Sequence, residues 1–182
     1  MDLAESFLTS ARQEAGRYRQ LAEKALAQVK DEGFFASLDD DGNSLAVQVK
    51  HLGGNLRSRW TDFLTTDGEK PDRHRDAEFE IGAADTRVAL MALWKVGWDA
   101  LEHTLATLEP GDLTRSVVIR GEPHTVVLAI HRQLAHTAYH VGQIVQLARH
   151  FRAGAWQSLS IPRGASEEFN RRMRERFGPG GA

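Results

Sequence analysis

Apolar residues recur at intervals of three and four through four long stretches of the 182-residue chain. That spacing lines one face of an α-helix. In residues 2–30 the stripe is Leu3, Phe7, Ala11, Tyr18, Leu21, Ala25 and Val29. A second helix is predicted over about 44–65, capped by Ser44, with Leu45, Val49, Leu52, Leu56, Trp60 and Phe63 on its face. The third, about 85–108, starts from Asp85 or Thr86 and carries Val88, Met91, Trp94, Trp98, Leu101, Leu105 and Leu108. The fourth, about 123–152, begins with Pro123 in its first turn and carries Val127, Ile130, Leu134, Thr137, Val141, Ile144 and Ala148. A short fifth helix follows, from Ser166 to about Arg176, with Glu167 and Glu168 at its positive end.

The segments between these stretches are polar or rich in turn residues. Residues 31–43 contain Asp-Gly-Asn, and 153–165 contain Pro162 and Gly164. In 109–122 the β-branched run Val117–Ile119 and Gly121 predict a short extended piece or small hairpin. Residues 64–82 form a charged connection longer than compact domains usually tolerate without a function. The pattern therefore predicts an all-α protein: an up-down bundle of four helices plus a short C-terminal one. One domain spans 1–177, and GPGGA at 178–182 is a disordered tail. Gly53 and Gly54 interrupt the second helix. They serve either close helix packing or room for a ligand or metal beside His51.

Composition narrows the chemistry. With no cysteine, disulfides and thiolate metal sites are excluded, and an essential thiol must come from another molecule. A formal charge of −2 argues against nucleic acid as the partner. No apolar run approaches 18 residues and the N-terminus has no hydrophobic signal core, so a cytoplasmic protein with no membrane span is expected. Phosphate-loop, dinucleotide, HExxH and GxSxG motifs do not occur.

Eight histidines remain to be placed. His136 and His140, in HTAYHVGQI, lie one helical turn apart on one face, a spacing at which two imidazoles reach one metal ion. On the helical wheel they sit roughly 80–120° from the apolar stripe, and His51 roughly 120° from its own. They suit a groove mouth between helices or, alternatively, the plain surface. His131, His124 and His103 rank below them as candidate ligands. Three protein ligands would leave a coordination position open for water or substrate, and imidazole suits zinc, nickel, iron or copper. With an ordinary imidazole pKa near 6.5, binding would weaken as pH falls from about 6.5 to 5.

At HLGGNLRSRW and HTAYHVGQI the chain resembles the DinB-like superfamily, also called YfiT-like metal-dependent hydrolases. Within it, RWTDFLTTDGEKPDRHRDAEFE (59–80) and SIPRGASEEFN (160–170) resemble a branch described as a domain of unknown function. The resemblance covers nearly the whole chain. It implies an up-down-down-up bundle, with 64–82 crossing between parallel helices, and one divalent metal, zinc or nickel, on His51, His136 and His140. It also implies a homodimer. Some members of the superfamily are S-transferases or isomerases that use bacillithiol, mycothiol or glutathione. The expected function is therefore a metal-dependent enzyme acting on a small-molecule substrate with a low-molecular-weight thiol cosubstrate. The alternatives are a non-catalytic metal-binding or stress-response dimer, and a hydrolase using bound water. Arg73 and Arg75, with Lys70, are the candidates for binding an anionic cosubstrate, with part of 70–80 lying over the open side of the site. Tyr139 and Trp60 either line the pocket or belong to the core.

Overall fold

The computed structural model describes residues 2–152 and 154–178. Six α-helices and one two-stranded sheet are found among them. Residues 179–182, most of the expected tail, lie outside the described residues. Helix α1 (Leu3–Leu26) opens with a reciprocal capping box between Asp2 and Glu5. The single-turn α2 (Asp31–Phe35) follows, within the stretch expected to be a turn. Ser44 caps α3 (Leu45–Trp60), and Thr86, not Asp85, caps α4 (Arg87–Thr107). Next come β1 (Ser116–Ile119), β2 (Glu122–Thr125), α5 (Val126–Arg152) and α6 (Ser166–Phe177).

Pro123 does not open the fourth long helix. It pairs with Val118 in an antiparallel hairpin, and the helix starts three residues later. A two-stranded ribbon has an unpaired side on each strand, where a missing N–H costs nothing. Its turn residues, Arg120 and Gly121, both have positive φ, the geometry of a type I′ turn. An asparagine or glycine usually stands where Arg120 does. Here the Asp67 carboxylate accepts from the N–H groups of Arg120 and Gly121, at 2.8 Å each, and holds the turn.

The four long helices share one apolar core centred on Trp60, Trp94 and Trp98, with Leu8, Leu52 and Ile144. Of the stripe expected over residues 2–30, Ala11, Ala25 and Val29 are buried and Phe7, Tyr18 and Leu21 pack partly buried against the core; Leu8, Ala15, Ala22 and Leu26 join the buried line, whereas Leu3 is 86% exposed. Val88 and Val127 likewise point outward, and α6 buries none of its residues. Helix α3 is covered on all sides, leaving only Lys50 and Arg57 unburied.

Cross-helix bonds fix the running directions. Arg12 meets the Leu105 carbonyl at 2.7 Å while Trp94 meets Glu23, so α1 and α4 are antiparallel. Gln48 meets Gln143 and Trp60 meets Gln133, so α3 and α5 are antiparallel too. Gly53 lies against Trp94 while the Trp60 carbonyl accepts from Thr104, so α3 and α4 run the same way. Connecting parallel helices needs a chain that returns the length of the bundle, which is what residues 61–86 do.

Candidate metal centre

Facing turns of α3 and α5 bring His51, His136 and His140 together. Their candidate ligand atoms lie within 4.8 Å of one another. His136 Nε2 stands 3.1 Å from His140 Nε2 and 3.4 Å from His51 Nε2. Ligands on a tetrahedral ion at about 2.0–2.1 Å stand about 3.3 Å apart, so both His136 spacings match those between the ligands of one divalent ion.

The outward ring nitrogens explain why the Nε2 atoms are free. His51 Nδ1 lies 2.8 Å from Glu78 Oε2; a carboxylate only accepts, so Nδ1 carries the proton. His140 Nδ1 donates to Gln48 Oε1 at 2.7 Å, and Gln48 in turn donates to Gln143. Each bond leaves a lone pair on the inward nitrogen and fixes the ring, as oriented metal-binding histidines require. His136 Nδ1 is buried without a hydrogen-bond partner. Burial, reinforced by the neighbouring His140 and His51, lowers the His136 pKa to about 3. Burial and His51 lower that of His140 to about 4. These two imidazoles are therefore neutral well below the pH 6.5 to 5 window expected from an unshifted group.

Glu78 comes from the long connection, which folds back onto α3. Gly54 makes room for it: a Cβ there would stand 2.4 Å from Glu78 Oε1. Gly53 serves packing, since a Cβ would meet the Trp94 backbone at 3.1 Å. Both glycines thus serve close packing, Gly53 against α4 and Gly54 against Glu78, and the space beside His51 is taken by that carboxylate. Arg73 donates to both oxygens of Glu78, at 2.8 and 2.9 Å, and to Glu69. Burial opposes the charge on Glu78, yet the bonds from His51 and Arg73 hold its carboxyl below the usual carboxylate range. Phe79 packs its ring 4.9 Å from that of His51, and Arg75 lies over Phe79. The connection therefore closes one side of the histidine cluster.

Beside the cluster is a cavity of about 140 Å³ whose wall includes His51, His136 and Asn55. Arg73 and Arg75 are in that wall, and so are Arg59, Arg120 and Arg132. Burial, with repulsion from Arg132 and Arg73, lowers the Arg59 guanidinium pKa to about 10. Lys70 is not in that wall; its ammonium donates to the Asp67 carbonyl at 2.7 Å. Trp60 is core, its indole N–H bonded to Gln133, whereas Tyr139 is 68% exposed with its ring edge against His140.

The lower-ranked histidines do not join the cluster. His124 is buried, but both its nitrogens are engaged, by the Glu122 carbonyl and by Arg132. His103 and His131 are exposed. Sequence reasoning missed Glu78 and Gln48, which orient the rings, and Arg59, Arg120 and Arg132. A signal existed for part of this set: Arg132, His136 and His140 recur at intervals of four, as do His51, Asn55 and Arg59. Two polar ladders on antiparallel helices must meet rung by rung.

Among the described residues, no helix is long and apolar enough to cross a membrane. No curated protein and no solved structure matches the chain. A family match does extend over residues 2–165, and the chain belongs to that family, described as "Protein of unknown function (DUF1572)".

Proposed function

We propose that this is a metal-dependent enzyme of the DinB-like type, an up-down-down-up four-helix bundle holding one zinc or nickel ion on His51, His136 and His140. The running directions of α1, α3, α4 and α5 support the bundle type. The observation that carries the functional reading is the convergence of the His51, His136 and His140 Nε2 atoms, with the His51 and His140 rings fixed from behind by Glu78 and Gln48.

A divalent ion there would act as a Lewis acid, acidifying a thiol or water at its open position. The protein's own residues do the rest. His51, His136 and His140 present neutral donors; Glu78 and Arg73 keep the His51 tautomer; Phe79 and the connection exclude water from one side. With no cysteine in the chain, a reacting thiol would be supplied by a low-molecular-weight cosubstrate. The reaction proposed is transfer of that thiol to an electrophilic small molecule by a homodimeric enzyme.

The test begins with elemental analysis of untagged protein, which should find near one divalent ion per chain. Loaded protein should then consume an electrophile only when a thiol is added. Thiol-independent ester or amide cleavage would make it a hydrolase instead. Stoichiometric metal with no turnover across a broad panel would make it a metal-binding protein without catalysis.

A further inference from the structure

The arginine-lined cavity has a charge balance of its own. Of its five guanidiniums, Arg73 is paired with Glu78 and Glu69, Arg120 with Glu69, and Arg75 with Asp76. Arg59 and Arg132 have no carboxylate partner among the described residues. Arg59 is only 6% exposed, and its Nε is buried with no hydrogen-bond acceptor. Arg132 donates to His124 Nε2, whose ring bonds the Glu122 carbonyl through Nδ1. A buried guanidinium lacking acceptors is costly unless something completes it.

The surroundings keep this arrangement in place. Asp67 holds Arg120 at the left-handed turn position, with φ 57°, and so fixes that side chain's origin at the cavity. Gly68 donates to the Val118 carbonyl and lies beside Arg59, bracing the connection against the hairpin. Two chain segments, each distant in sequence, are thus tied together around an unpaired positive charge.

We infer that the cavity is a binding site for an oxyanion, the phosphate or carboxylate end of a small molecule, held chiefly by Arg59 and Arg132 with Arg120. Planar guanidiniums match such groups in bidentate geometry. The helical rise sets the length of the molecule. Arg132 lies one turn from His136 and two from His140, and Arg59 lies two turns from His51, so the oxyanion sits about 6–12 Å from the histidines along the helices. Only this length, and not the anion site, rests on the proposed metal reading. Arg73 is a positioning residue in this arrangement, because its donors are spent on Glu78 and Glu69.

The test uses metal-free full-length protein titrated with inorganic phosphate, with ionic strength held constant by chloride. Wild type should bind phosphate saturably, near one per chain, and its melting temperature should rise. Arg132→Met and Arg59→Met should each weaken phosphate binding at least tenfold. Arg132 is exposed on α5, so its replacement leaves the core intact even if that of Arg59 does not. Equal phosphate affinity in wild type and Arg132→Met would overturn the inference, as would the absence of saturable binding in wild type. Zinc uptake by the same proteins scores the metal reading separately. Zinc retained without phosphate binding removes the anion site alone. Phosphate bound without zinc uptake removes the metal centre alone.

Discussion

Two levels of the same helix interface have opposite electrostatics. At one, α3 and α5 present histidines whose outward nitrogens are bonded to Glu78 and Gln48 and whose inward nitrogens are bare. At the other, one to two turns away, they present Arg59 and Arg132, neither ion-paired with a carboxylate among the described residues. Burial acts at both, since it disfavours charge in either residue type. A histidine answers by staying neutral, so the first level becomes a donor set for a cation. An arginine cannot lose its proton at ordinary pH, so the second keeps its charge. Burial thus prepares the histidine level for a positive ligand, while the buried Arg59 beside the exposed Arg132 prepares the other for a negative one.

The largest effect should come from emptying the first level. His51→Ala, His136→Ala and His140→Ala should each lose most of the bound metal, while His74→Ala and His150→Ala, both exposed, should keep near one per chain by elemental analysis. Equal metal content in all five variants would sink the assignment. Next in size is the loss of ring orientation. Glu78→Gln should weaken zinc binding about 10- to 100-fold, the usual range for a partner behind a ligand. Gly54→Ala should do the same without touching a charge, because its Cβ displaces Glu78. If Gly54→Ala binds zinc normally, the carboxylate does not matter and the glycine is there for packing.

Acid should separate the levels further. His136 and His140, lowered to about 3 and about 4, bind protons less readily when folded than when unfolded, where the pKa is near 6.5. The unfolded chain thus holds more protons between those limits, and stability falls as pH drops from about 6.5 towards 4. Each such group contributes up to about 1.4 kcal/mol per pH unit over its window. Zinc affinity, by contrast, should fall less steeply between pH 6.5 and 5 than three ordinary histidines would give, since the folded His136 and His140 stay neutral there. Calorimetric titration at pH 7, 6 and 5 checks this; a steep loss between 6.5 and 5 would mean the rings titrate as ordinary histidines. At neutral pH, chelation should lower the melting temperature but leave helical circular dichroism, because the apolar core does not include the three histidines.

How much of this could be read from the chain follows from where each interaction is local. The helices, the caps at Ser44 and Thr86, and the i, i+4 pair His136–His140 are local and legible. The α1 stripe is legible only in part, because Ala15 and Ala22 pack as well as larger residues when helices approach closely, and Leu3 has nothing to pack on. Pro123 suits a helix start and a ribbon edge equally, and the hairpin partner decides. The wheel put His51 off the stripe of its helix, yet the residue is buried. A crossover covers the face that periodicity marks as exposed, and no periodicity in α3 encodes that. Glu78 was missed for the same reason: 27 residues separate it from the histidine it orients.

The smallest effect expected is also the sharpest probe of the second level. Arg59→Met keeps the length of an apolar stem and removes a buried charge that Arg132, Arg73 and Arg120 all repel. In chloride, with no oxyanion added, this should stabilise the protein by about 1 kcal/mol, since replacing buried charge with apolar side chains is often neutral or favourable. For a chain of this size that is about 2–4 °C in melting temperature. Adding phosphate should raise the wild-type melting temperature and leave the variant's unchanged, because only a state that binds ligand gains from it. The gap between the two should therefore close, and reverse at saturating phosphate. A stem that merely packs, with a guanidinium solvated through the cavity mouth, gives another result. The variant then changes the melting temperature by the same amount in chloride and in phosphate. That outcome would leave Arg59 a structural residue and take away the negative ligand from the comparison.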